Sequence, residues 1–306
     1  MRRLNIVFMG TPEFAVASLD ALYNSNHKVS AVVTVADKPA GRGQQIQMSA
    51  VKKYAVEHTI SVLQPVRLKD ESFLQELQSY QADIFVIVAF RMLPEVVWSM
   101  PPMGSINLHG SLLPKYRGAA PINWAIIQGE KQTGVTVFFL QHEIDTGKIV
   151  KRKVIPISSE DTAGSLHDRM MAIGAETLLE AINELAKGQL DSISQDTLIA
   201  EGEQIVHAPK IFKEDCKIDW TNSMENVDRF VRGLSPYPAA WTMLRDKTLK
   251  VFAGKLVSDS IIDGPWKTDG KSYLHFACAD GTYSITELQL EGKKKMSTEE
   301  FLRGWK

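Results

Sequence analysis

The chain has 306 residues, which at roughly 100 to 200 residues per domain points to two domains. With 44% hydrophobic and 23% charged residues it has an ordinary globular composition, so disordered, collagenous and low-complexity classes are excluded. A net charge of -1, from 35 Lys and Arg against 36 Asp and Glu, excludes a wholly basic nucleic-acid wrapper and leaves only local patches for such binding.

Leu4 to Met9 reads as a first strand, and Gly10-Thr11-Pro12 as a turn in which Thr11 caps a helix with Pro12 at its first position. Val29 to Val35, Ile84 to Ala89 and Ser105 to Leu108 are further apolar runs bounded by turn residues, read as parallel strands covered on both faces. Ser49 to His58, Asp70 to Tyr80 and Leu93 to Met100 read as the intervening helices. Gly134 to Leu140 and Lys148 to Ile155 add two strands, and a long helical pattern runs from Ala163 to Lys187, ended by Gly188. The first 189 residues are thus a three-layer α/β domain. Residues 190–206 are polar, without a sustained period, and read as a linker. Residues 207–306 hold many short strands around one helix at Met224 to Gly233, the pattern of a small β-barrel-like domain.

Cys216 and Cys278 are too few for a disulfide framework and too far apart for a Cys-x-x-Cys site. The apolar start is too short for the core of a signal peptide, and no run approaches the ~18 apolar residues of a membrane span. The expectation is a reducing, cytoplasmic setting.

Ser105 to Ile122 reads SINLHGSLLPKYRGAAPI. Asn107 and His109 are two apart at the end of a strand, so their side chains share one face, and Gly110 lets the backbone turn sharply. Ligands of open α/β sheets bind outside the carboxyl ends of strands, which is where this pair falls. Taken alone, Asn-x-His also fits a satisfied strand-end hydrogen bond. Pro114, Gly118 and Pro121 stiffen the loop after this strand, and Lys115 and Arg117 make it cationic, suited to an anionic ligand. Leu113-Pro114 is a candidate cis bond.

The loop Gln141 to Gly147 offers Asp145, which reaches and orients His109 if the two strands are neighbours. Three other readings stand beside that one. Asp145 fits a plain capping turn. Asp-Thr-Gly is the aspartic-protease triplet, but that chemistry needs two carboxylates in an all-β setting. His109, His142 and Asp145 make a two-His, one-carboxylate metal set without the spacing that would support it. Ala36 to Gln45 is a long loop in which Lys38, and Arg42 between two glycines, form a basic finger for phosphate or a solvated surface loop. Gly10 lacks the companion glycines of a dinucleotide fingerprint, which argues against a nicotinamide cofactor.

Together, MGTPEFA (9–15), DKPAGRG (37–43), INLHGSLLPKYRGAAPI (106–122), IDTGKIV (144–150), HAPKI (207–211) and KIDW (217–220) stand in one order along almost the whole chain. They resemble the methionyl-tRNA formyltransferase family. The resemblance implies a Rossmann-like catalytic domain at 1–189, a linker at 190–206 and an OB-like barrel at 207–306 that helps hold tRNA. It implies transfer of a formyl group from 10-formyltetrahydrofolate to the amino group of methionyl-initiator tRNA for translation initiation, by a monomer without metal. Asn107, His109 and Asp145 match the family's catalytic trio, Ser111, Leu112, Leu113 and Pro114 border its folate pocket, and Arg42, with Lys38, matches its tRNA-contacting loop. The chain departs from the family at Ala89-Phe90-Arg91-Met92-Leu93-Pro94, one residue shorter than usual and charged. The rivals are a folate-dependent formyltransferase of a small amine, which would lack the DKPAGRG loop with this second domain, and a non-enzymatic RNA-binding protein, which would leave the trio without a reason to assemble.

Overall fold

The computed structural model describes residues 2–40, 45–258 and 260–305. The chain divides into two compact units, one of Met1–Gly118, Gly134–Ile155 and Asp168–His207, the other of Ala119–Thr133, Pro156–His167 and Ala208–Lys306.

The first unit opens with β1 (Asn5–Gly10), α1 (Glu13–Tyr23) and β2 (Lys28–Val33). Pro12 occupies the N-cap of α1 in an extended conformation, so the helix starts one residue later than the Thr11 cap would place it. A short ribbon of β3 (Lys38–Ala40) and β4 (Gln45–Gln47) precedes α2 (Ala50–Glu57), which Ser49 caps by accepting the Lys52 N–H. Then come β5 (Ser61–Leu63), α3 (Glu71–Ser79), β6 (Ile84–Val88), a single-turn α4 (Glu95–Trp98), β7 (Ser105–His109) and the short β8 (Arg117–Gly118). After α5 (Pro121–Ile127), the chain runs through β9 (Gln132–Phe139), β10 (Ile149–Pro156) and the 24-residue α6 (Ala163–Ala186).

Seven of these strands form one sheet in the order β10-β9-β7-β6-β1-β2-β5. From β5 to β7 every pairing is parallel, and the chain winds outward in both directions from β1, the doubly wound arrangement. All five residues of β6 are buried, which is why its sequence is a continuous apolar run and not an alternation. β9 runs antiparallel to β7, so the parallel pattern of the preceding strands stops there. An apolar run reports that a strand is covered, not which way it points. The pairing places Thr136 opposite His109 and Phe138 opposite Asn107, so the strand leading to Asp145 is the immediate neighbour of the one carrying the Asn-His pair.

In the second unit, β11 (His207–Ala208) leads to α7 (Met224–Leu234), β12 (Ala240–Leu244), the long β13 (Lys247–Ser258), β14 (Trp266–Thr268), β15 (Leu274–Ala277), β16 (Thr282–Leu290), β17 (Met296–Ser297) and α8 (Thr298–Arg303). The strands pair antiparallel in the order β12-β13-β16-β15-β14, with β17 on β16. Register shifts along β13 mark bulges, which bend and twist a strand locally. α7 turns Met224, Val227, Val231 and Leu234 into the core, and Trp220 stacks on Phe276 with ring centroids 4.3 Å apart. α5 belongs to this unit. Its Asn123 donates to the Gly233 carbonyl at 2.7 Å, and Gly233 leaves no room for a Cβ beside Ile127. Residues 119–122, read from sequence as part of a stiff loop, therefore lead into and open a helix, with Pro121 at its first position.

Candidate active site

His109 is the last residue of β7 and is buried at 7% exposure. Its Nε2 lies 2.8 Å from the Tyr116 carbonyl oxygen. A carbonyl only accepts, so Nε2 carries the hydrogen, and Nδ1 is the nitrogen left for chemistry. Nδ1 faces Asp145 Oδ2 at 3.8 Å, within ion-pair reach but longer than a hydrogen bond. The Phe138 ring stands edge-on to the imidazole, 6.5 Å between centroids, and walls it on the β9 side. Asn107 lies on the same face of β7, half-buried, and its carboxamide makes no hydrogen bond among the described residues.

Two local conformations aim Asp145. A Cβ on Gly147 would lie 1.6 Å from the Phe139 carbonyl oxygen, so only glycine lets the loop turn back tightly against β9. Asp145 itself is left-handed at φ 55°, a conformation that costs an L-residue about 1 kcal/mol. It is held there by neighbours. Gly118, at φ 125°, donates its N–H to Oδ2 at 2.9 Å, while the backbone carbonyls of Asp145 and Gly147 each accept from Gln195 at 2.9 Å. The second carboxylate oxygen, Oδ1, has no hydrogen-bond partner among the described residues.

The Ser111–Pro114 turn is stitched to the sheet. Thr136, buried on β9, donates to the Ser111 carbonyl at 2.6 Å and accepts the Leu113 N–H at 3.1 Å, and Arg152 donates to the Leu113 carbonyl at 3.1 Å. Ser111 turns its hydroxyl onto the Lys115 carbonyl at 2.7 Å, Leu113 packs against Phe138 and Ile149, and Pro114 is buried after a cis bond. Leu112 is partly exposed. The turn thus offers a ligand a fixed backbone shape, with Ser111 and Leu113 committed to the interior.

Arg42 lies outside the described residues, and of Lys38 only the backbone is described, as the start of β3. The stem of that loop is anchored by Lys52, which bonds Asp37 and donates to Gln64 at 2.7 Å, and by Gln64, which donates to Asp37 at 2.8 Å. The bonds from Lys52 and Gln64 hold the Asp37 carboxyl below its ordinary value. Arg91, the charge that departs from the family pattern, donates to the carbonyls of Val66 and Pro65 at 3.0 and 2.5 Å, so its guanidinium is held on that turn.

The second unit contains a cavity of about 410 Å³ lined by Lys210, Lys213, Lys250, Tyr237 and Trp241, with no carboxylate in its wall. Among the described residues no cluster of three or more His, Cys, Asp or Glu side chains is placed to hold a metal. No helix among them is long and apolar enough to cross a membrane.

Sequence reasoning did not find Gln195, Thr136 or the Tyr116 carbonyl. Nothing in the one-dimensional pattern marks a glutamine in a polar stretch or a backbone oxygen as part of a site. Only the pairing of β7 with β9 made Thr136 predictable.

Residues 3–182 match the formyl transferase family, and residues 210–306 match its C-terminal domain. The chain is 50% identical to the methionyl-tRNA formyltransferase of Parabacteroides distasonis, over 99% of this chain and 96% of that protein, and 48% identical to that of Bacteroides fragilis, over 99% and 95%. The chain belongs to the methionyl-tRNA formyltransferase family. Its fold is also that of HypX from Aquifex aeolicus, solved with tetrahydrofolic acid, at a TM-score of 0.67 and 19% identity over 98% of this chain and 47% of that one. An N-formyltransferase from Helicobacter canadensis, solved with folinic acid and dTDP-3-aminofucose, matches at a TM-score of 0.67 and 19% identity, over 96% of this chain and all of that one.

Proposed function

We propose that Asn107, His109 and Asp145 are the reacting centre for transfer of the formyl group of 10-formyltetrahydrofolate to the amino group of methionyl-initiator tRNA. The observation that carries this reading is the alignment of the His109 Nδ1 with the Asp145 carboxylate, on the strand face shared with the uncommitted Asn107 amide. The amine attacks the formyl carbon, and the carbonyl oxygen becomes an oxyanion. The Asn107 N–H and a protonated His109 Nδ1 donate to it. Asp145, through Oδ1, takes the proton released by the attacking nitrogen and passes it towards the folate nitrogen as the carbon–nitrogen bond to folate breaks. Atoms balance without a covalent enzyme intermediate.

The Ser111–Pro114 turn supplies the fixed edge of the folate site. The domain bounds that go with this assignment are a catalytic domain at 1–189, a linker at 190–206 and a tRNA-holding, OB-like barrel at 207–306 of a cytoplasmic monomer; within those bounds residues 119–133 and 156–167 belong to the second compact unit and 190–207 to the first. The three lysines and two aromatic rings of the second unit's cavity support RNA contact, since ammonium groups neutralise phosphates and rings stack on bases. Lys38 and Arg42, from the basic finger of residues 36–45, complete that contact.

Labelled formyl donor presented to charged initiator tRNA and, separately, to free small amines tests the assignment. Label should pass to the tRNA alone, and Asn107→Ala and His109→Ala should each abolish most of the turnover. Efficient formylation of a small amine, or full activity in both variants, would refute it.

A further inference from the structure

The stretch 190–206, which the sequence presents as a connector, is tied to the residues that surround His109. Ile193 exchanges backbone hydrogen bonds with Ile149 at 2.8 and 2.9 Å. Gln195, on a short 3-10 turn, is 1% exposed, and its carboxamide is fully used. Its Nε2 donates to the carbonyls of Asp145 and Gly147, both at 2.9 Å, and its Oε1 accepts from Arg117 Nε at 3.1 Å and Nη2 at 2.7 Å. Farther along, the Val206 carbonyl accepts the Tyr116 N–H at 2.6 Å, and Glu203 lies 3.3 Å from the Lys115 ammonium. Tyr116 is the residue whose carbonyl fixes the His109 tautomer, and Asp145 is the residue that faces the other ring nitrogen.

We infer that Gln195 is a positioning residue for formyl transfer, clamping the backbone of Asp145 in its left-handed conformation so that the carboxylate meets His109. This rests on the proposed role of Asp145 in moving the proton. The side chain needed at this point is narrowly defined. It must present two N–H donors to two carbonyls on one side and a neutral acceptor to a guanidinium on the other. Glutamate would set a carboxylate against two carbonyl oxygens, methionine would leave both carbonyls and Arg117 unpaired, and asparagine falls one methylene short. Burial makes the clamp stiff, because an unpaired polar group there is costly and the loop gains nothing by rotating away.

The test uses the full-length enzyme with both substrates. Gln195→Glu keeps the size and the Arg117 acceptor but removes the donors to Asp145 and Gly147, and Gln195→Met keeps the length alone. Each is compared with wild type, with Asp145→Asn and with the corresponding double variant, after circular dichroism shows a native spectrum. Misplacing a reacting group by about 1 Å costs roughly 100-fold, so kcat should fall roughly 10- to 100-fold while KM for folate and for tRNA stays within about two-fold. In the Asp145→Asn background the Gln195 changes should cost less than about two-fold, because the group they position is gone. A purely structural glutamine would lower the melting temperature without this split, and would add its full cost on top of Asp145→Asn. Either that additivity or a near-normal kcat in Gln195→Glu overturns the inference while leaving the role of Asp145 intact. Near-normal turnover in Asp145→Asn overturns the role of Asp145 itself, and the clamp with it. If Gln195→Met does not fold, Gln195→Glu decides the question, and partial recovery of kcat in Gln195→Asn relative to Gln195→Glu supports the donor argument.

Discussion

The surroundings of His109 and the core of the second unit are both well ordered, by opposite means. Around His109 the chain is irregular, two non-glycine residues are left-handed, and order comes from side chains bonded to backbone: Gln195, Thr136, Arg152 and Asp145 each fix one segment. In the second unit order comes from apolar area, with Val231, Leu234, Leu249 and Leu288 fully buried and Trp220 stacked on Phe276. Its buried polar groups sit within that packing, among them the Tyr283 hydroxyl, which reaches Asp228 at 3.3 Å and is pushed up by burial and that carboxylate. A site that must present polar atoms to a substrate cannot be held by grease alone, because the presenting backbone needs its own partners. The docking surface proposed for the second unit asks only for a rigid platform.

The comparison breaks if mutations in the two regions have the same signature. The largest effect should fall on the polar site: Asn107→Ala, His109→Ala and Asp145→Asn should each lower kcat by about 10² or more while leaving tRNA affinity and the melting temperature nearly unchanged. Steady-state kinetics beside calorimetry reads both at once, and a matching loss of stability would mean that these side chains are structural. Next, Leu249→Ala should destabilise the protein by about 2 to 5 kcal/mol, as cavities in packed cores do, with the rate of formyl transfer in the folded fraction unchanged. Denaturant unfolding and single-turnover kinetics check it.

A smaller effect is expected from Lys213→Ala combined with Lys250→Ala, which should raise KM for tRNA several-fold. It should also reduce the steepness of the salt dependence by about one logarithmic unit per lysine that contacts phosphate, with the KM for folate untouched. An unchanged salt slope would remove the cavity from the tRNA surface. The smallest is a matter of reactivity alone. Burial pushes the Cys278 thiol up to about 11, and that of Cys216 up as well, so neither is a thiolate at pH 8. Alkylation at pH 8 should stay slow until denaturant is added, and rapid labelling of the native protein would show that the second core opens.

How much of this was legible beforehand depends on the kind of interaction. Strands such as β6 and helices such as α3 and α7 follow from local apolar period, which a sequence displays directly. α4 is only four residues long and α1 begins after Pro12, because helix ends depend on caps more than on period. The capping box of α8, Ser297 with Glu300, is a start signal written in the sequence, yet the short helix it opens has too few turns to show a period.

The sequence by itself determined the two-domain division, the buried strands, the strand-end pair of Asn107 and His109 and the family to which the motifs belong. Those depend on local period and on residue identity at fixed spacing. Tertiary structure alone decided that β9 runs against β7, that α5 joins the second unit, that His109 turns Nε2 to the Tyr116 carbonyl and Nδ1 to Asp145, and that Gln195 reaches back 50 residues to Asp145. Those are contacts between distant segments and between side chain and backbone. A backbone carbonyl is the same in every residue, so no letter in the sequence announces which one will be used.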